Sequence, residues 1–228
     1  MSISLLSLLQ LSDPALPIGG YAHSLGLETY VQQGIVHNSV TAAVFVAEML
    51  SRSLRYTDAA FASLAFDSSA TGDFEGLLRL DDECSAVKLP METRQASQKL
   101  GNRLMKIFQP VIQDDLVESY RQAIGNKQAA GHYCLAFGIH AHAFGIDKQA
   151  ALSGLYYNAA ASMVTNCVKL VPLGQVQGQQ LLFSLQDLLV DLVNKSMVPD
   201  RGLLGLCCAG FDIRCMQHER LYSRLYMS

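Results

Sequence analysis

Charge is scarce in this sequence. Only 16% of its 228 residues are Asp, Glu, Lys or Arg, where an ordinary globular domain carries roughly 25%. So little polar surface favours an oligomer or an obligate partner, and it also suits a compact helical protein with a large core. There is no Lys/Arg run, and the formal charge is −3. A chain that binds nucleic acid needs clustered cations to displace phosphate counterions, so that class is set aside. No uncharged apolar run approaches the about 20 residues of a membrane span. The opening MSISLLSLLQLSDP lacks a positive n-region and a small-residue cleavage site, so the expectation is a soluble, cytoplasmic protein. No CxxC pair occurs among Cys84, Cys134, Cys167, Cys207, Cys208 and Cys215. Without a framework spacing these read as buried free thiols. No G-x-x-x-x-G-K-[ST] phosphate loop is present.

What the sequence does have is helical periodicity. Apolar residues recur at helix spacing almost throughout, and alternating strand patterns are rare. The length suits one domain with a core of its own. Leu5, Leu8 and Leu9 give a short first helix stopped by Asp13-Pro14. Ser24 is placed to cap a second helix to Gln33, with Gly34 beyond its end. Ser39 opens a longer one with Val44, Phe45, Met49 and Leu50 along one side. A polar break at 68–73 precedes a helix ending near Lys88. Pro90 starts a helix closed by Pro110, with Leu100, Leu104 and Phe108 on its buried side. Segments 114–124, 128–145 and 148–170 follow. Pro172 starts a helix with Leu181, Leu185, Leu188 and Leu192 in its stripe. Residues 200–210 read as a loop, and the tail returns to helical spacing. The expectation is an all-α fold, one domain over 1–228 with about ten helices and a C-terminal docking tail at about 211–228.

Catalytic chemistry is hard to assemble from these residues. AHSLG, 22–26, comes within one glycine of the nucleophile elbow G-x-S-x-G, but it lacks the preceding strand and has Ala22 in place of the first glycine. A helix cap at Ser24 fits it better. His140 and His142 are two apart and point away from each other on a helix. His23 and His132 stand alone, and Cys215 with His218 is a weak pair. No catalytic residue and no metal ligand is assigned, and no cofactor is expected.

Three polar segments sit where core packing does not ask for them: PIGGYAHSLGLE, VKLVPLGQVQGQQ and QHERLYSRLYMS. The last holds two tyrosines and two arginines at a chain end. These residue types are favoured at interface hot spots, at a place that normally frays. A tail so composed is built to be ordered by a partner.

With LLQLSDPALPIGGYAHSLGLETYVQQG, ETRQASQKLGNRL, VKLVPLGQVQGQ and QHERLYSRLYMS in this order, the chain resembles the UreF family of urease accessory proteins from about residue 5 to its end. The resemblance implies a helical, dimeric protein without catalytic activity. It implies binding to a second accessory protein, UreD (also called UreH), recruitment of the GTPase UreG, and nickel delivery into apo-urease, with a regulatory role toward the GTPase. Carried over by motif, the partner-binding positions are Tyr21 and Glu28, then Lys169, Gln175 and Gln179, then Tyr222 and Arg224. A homodimer is expected through the helix at 148–168, where small residues alternate with tyrosines. Its interface would hold Tyr156, Tyr157 and Ala160, with Asn158 as the polar group a dry core would tolerate poorly. That helix has no arginine before residue 165, so a GTPase contact there would rest on Tyr156, Tyr157 and Asn158. The alternative function is a nickel carrier, using His23, His132, His140, His142 or the Cys215/His218 pair. An enzyme built on Ser24 ranks behind both.

Overall fold

The computed structural model describes residues 3–206 and 208–227, and among them there is no β-strand. Cys207, read above as a buried thiol, and Ser228, the last residue of the expected tail, lie outside the described residues.

Helix α1 (Ile3–Leu11) ends at Asp13-Pro14, where the Asp13 carboxylate takes the Ala15 N–H at 2.8 Å. After a 3-10 turn at Gly20–Ala22 comes α2 (Leu27–Gln32). Its N-cap is Gly26, which corrects the expected cap at Ser24. Gly26 adopts φ +78°, and a side chain there would also press on the Cys215 sulfur. Ser24 is buried, and its carbonyl accepts the Leu27 N–H. Helix α3 (Ser39–Glu48) is capped by Asn38 and continues into a π-helical turn, Met49–Leu54. Phe45, Met49 and Leu50 face inward as expected, but Val44 is exposed. Helix α4 (Asp58–Thr71) runs into the stretch read as a break; the chain turns only at Gly72, and Asp73 caps α5 (Phe74–Val87). Next come α6 (Met91–Phe108), α7 (Asp115–Gly125), α8 (Tyr133–Ala143) and α9 (Lys148–Leu170). Asp114 and Asp147 cap α7 and α9 with their carboxylates. The helix expected from Pro172 begins at Gln175 and divides into α10 (Gln175–Ser184) and α11 (Gln186–Ser196). Helix α12 (Ala209–His218) is the last, and the tail leaves helical geometry there.

Helix α8 forms the centre. It is buried from Cys134 to Ala141 without a break, as a helix apolar on all sides must be. It packs closely on α4 at Gly138, which lies against Ala62 and Ala65. A methyl group on Gly138 would overlap the Ala62 carbonyl oxygen. His140 and His142 diverge, as helix geometry requires. The His140 Nδ1–H donates to the Ala136 carbonyl at 2.7 Å, and His142 meets the Ser69 hydroxyl at 3.0 Å.

Residues 128–132 form a loop where helix was expected. The cause is distant in sequence. Asp81 on α5 is buried, and its carboxylate accepts the N–H groups of Ala130 and Gly131 at 2.5 and 3.0 Å and the Tyr120 hydroxyl at 2.6 Å. A buried carboxylate needs such donors, and helical 130–131 would turn these N–H groups inward to their own helix.

Candidate functional site

The segment before α2 is held by its carbonyls. Arg103 on α6 donates to Ile18 O at 3.1 Å, Asn166 on α9 to His23 O at 3.0 Å, and the N–H of Met227 to Ala22 O at 2.7 Å. Three elements far apart in sequence thus fix one turn. The fixed backbone leaves Tyr21 on the surface at 56% exposure. Lys169, in the last turn of α9, is exposed, with its ammonium 5.7 Å from the centre of the Tyr21 ring, within cation–π range. Two of the expected partner-binding residues therefore form one site. Lys99 and Arg103 are also exposed beside it. The His23 ring there is pushed below its ordinary value by burial first, then by the charges of Lys99 and Arg103. The face is cationic although the whole chain is acidic.

The tail is fastened by four ionisable side chains. Glu28, in the first turn of α2, accepts the N–H of Leu225 at 2.8 Å and of Tyr226 at 3.2 Å. His218, at the end of α12, is fully buried between two carboxylates: Nε2 lies 3.2 Å from Glu28 and Nδ1 2.7 Å from Glu92, in the first turn of α6. The other Glu92 oxygen accepts from Arg224 at 2.6 Å. Both acids stand at helix N-termini, where the helix dipole favours negative charge. Gln32 adds a bond to Ser223 O, and Gln33 one to Gln217.

This arrangement changes the reading of two expected partner residues. Glu28 is 5% exposed and points into the clasp, and Arg224 is turned toward Glu92. Glu28 thus keeps its charge inside, while the Arg224 guanidinium is paired with its side chain still partly in solvent. What the clasp presents is Tyr222, fully exposed, with Leu225 and Met227 at 69% and 59% exposure. Sequence reasoning missed Glu92, Leu225 and Met227, and weighed His218 only as a weak metal-pair partner of Cys215. The signal for His218 was only its place in the terminal motif; nothing local tied it to Glu28, 190 positions away. Gln175 and Gln179 lie exposed on the outer side of α10, with Val176 and Phe183, and the described contacts bring neither to the clasp.

The expected dimer residues part company on α9. Tyr156 and Ala160 are fully buried in the chain's own core, and the Tyr156 hydroxyl meets Ser196 at 2.8 Å. They lie on the inner face of α9, toward α11, while a helix turns the adjacent position by about 100°. Tyr157 points outward at 48% exposure. Asn158 bonds to Ser12 O at 2.8 Å, so its polarity serves the α1–α9 contact. Among the described residues no three His, Cys, Asp or Glu side chains converge on a metal-sized space, and no helix is long and apolar enough to cross a membrane.

Residues 36–186 match the family model UreF. Across almost the whole chain the sequence is similar to proteins named urease accessory protein UreF. The one from Actinobacillus pleuropneumoniae serotype 5b (strain L20) is 47% identical over 222 residues, 97% of this chain and 98% of that one. The one from Haemophilus influenzae (strain ATCC 51907 / DSM 11121 / KW20 / Rd) is 46% identical, covering 97% and 94%. The one from Arthrobacter sp. (strain FB24) is 34% identical over 225 residues, covering 98% and 96%.

Proposed function

The chain belongs to the UreF family of urease accessory proteins, and from that premise we propose that it is a cytoplasmic scaffold for urease maturation. In this reading it binds the UreD/UreH accessory protein, recruits or regulates the GTPase UreG, and so serves nickel insertion into apo-urease without a catalytic site of its own. The observation that carries it is the fastened tail. A chain end held by a buried ionic clasp, with Tyr222, Leu225 and Met227 turned to solvent, is a preorganised docking surface. Preorganisation lowers the ordering cost of association. The exposed Tyr21–Lys169 pair supplies a second, cationic face, and Gln175 and Gln179 add a polar one. Glu28 and Arg224 act in this proposal by holding the tail in place.

The homodimer is proposed on the outer side of α9. Tyr157 is exposed there, and α1 packs on the same stretch, with Leu8 and Ser12 against Gly154. That leaves Leu5, Leu6 and Leu9 of α1 exposed, an apolar strip suited to a second copy.

Co-purification with the UreD and UreG homologues, with complex mass read by light scattering, tests the scaffold; the same measurement on the chain alone reads the dimer. Tyr222→Ala should leave unfolding within about 0.5 kcal/mol of wild type, since the side chain is fully exposed, while the yield of complex falls. Full complex yield from that variant would remove the tail from the docking surface.

A further inference from the structure

Between α5 and α8, two thiols stand unbonded and in contact. Cys84 on α5 and Cys134 on α8 are fully buried, with their sulfurs 3.7 Å apart, within hydrogen-bond reach. We propose that Cys84 and Cys134 are a redox-active dithiol that a hydroperoxide closes into an intramolecular disulfide.

Three observations support this. The first is distance: closure to a bond of about 2.0 Å asks less than 2 Å of movement, within reach of side-chain rotation. The second is the division of labour between the thiols. Burial alone would raise Cys84, but the hydrogen bonds from Cys134 and His132 and the charge of Lys88 outweigh it and bring the thiol down. Burial, then the hydrogen bond and charge of Cys84, push Cys134 up. In this proposal Cys84 is the nucleophile and Cys134 the resolving partner. Cys167 and Cys215 have no such help, and burial raises both. The third is access. A cavity of about 190 Å³ has Lys88, Ser97 and Tyr133 on its wall. Lys88 sits one turn beyond Cys84, its N–H on the Cys84 carbonyl, and Tyr133 immediately precedes Cys134. A molecule the size of hydrogen peroxide fits that cavity.

The chemistry balances. The Cys84 thiolate attacks one peroxide oxygen, the O–O bond breaks, and the departing hydroxide takes a proton to become water, leaving Cys84 as sulfenic acid. The Cys134 sulfur then attacks the Cys84 sulfur, the S–O bond breaks, and the Cys134 proton leaves with the hydroxide as a second water. Two thiols lose two electrons, and one peroxide gains them. The new bond joins α5 to α8 around the segment that contains α6, whose first turn carries Glu92 of the clasp.

The test is peroxide treatment of the full chain, alkylation of remaining thiols, and peptide mapping without reductant. The expected product is a Cys84–Cys134 linked peptide, abolished by later reduction, with Cys167 and Cys215 recovered alkylated. In Cys134→Ala, checked for fold by circular dichroism, dimedone should label Cys84 as the trapped sulfenic acid. The proposal is overturned if peroxide modifies Cys208 while the peptides of Cys84 and Cys134 come back unlinked. It is equally overturned if folded Cys134→Ala carries no dimedone on Cys84. Should that variant not fold, the wild-type map decides alone.

Discussion

At the centre, α8 closes on α4 where Gly138 lies against Ala62 and Ala65, whereas the tail is held at the edge by Glu28, Glu92, His218 and Arg224. The first has no volume to spare, and the second has charges that hold only while all are present. Close packing transmits any added atom to the backbone. An ionic clasp at a chain end can instead open locally and leave the body folded. The centre therefore sets whether the protein folds, and the clasp sets what the folded protein shows to a partner.

The sharpest way to break the centre is Gly138→Val. Its side chain would meet the Ala62 carbonyl and the Ala65 methyl, forcing α4 and α8 apart. The expected loss is about 3 kcal/mol or more, at the upper end for overpacking, read from the midpoint of urea unfolding. A loss below about 1 kcal/mol would mean that the helices can separate freely.

His140 probes the same centre by pH. Burial lowers its ring from 6.5 to about 4, against a small opposing pull from the Ala136 carbonyl and Asp114. The unfolded chain takes a proton near 6.5 and the folded chain only near 4. Between these values the unfolded state holds more protons, so stability falls as pH drops through that window. The drop amounts to about 3 kcal/mol. His140→Gln should flatten it in urea titrations above pH 6.5 and near pH 4; an unchanged slope would assign it to other groups.

At the edge the effects are smaller and local. His218→Ala leaves two carboxylates without the ring between them. Because a released tail lets water reach both, the cost is about 1–2 kcal/mol, below the about 3–5 of a charge trapped in a core. Hydrogen exchange should show Leu225 and Met227 amides losing protection while those of α8 keep it. Arg224→Ala removes a bridge whose arginine side chain is 38% exposed, so solvent screening limits the loss to about 0–1 kcal/mol. Loss of α8 protection in either variant would join the two regions into one cooperative unit.

The elements with local signals were legible in the sequence. Asp114 and Asp147 cap helices that begin at the next residue, and Pro90 with Pro110 brackets α6. Errors fell where a distant group overruled a local preference. Residues 128–132 lost their helix to Asp81, and Ser24 lost its cap to the left-handed turn at Leu25 and Gly26. The motif positions at the surface were found by likeness, but their orientation was not: of Tyr156 and Tyr157, equal in composition, one fills the core and one faces out.

By itself the sequence determined an all-α chain, the spans of its long helices and the segments that carry unusual polarity, because periodicity and caps act over a few residues. Only the tertiary structure decided which side of α9 faces solvent, that Lys169 lies over Tyr21, and that Glu28 meets His218. Those pairings depend on how helices are placed against one another, a sum of contacts between residues that no local pattern links.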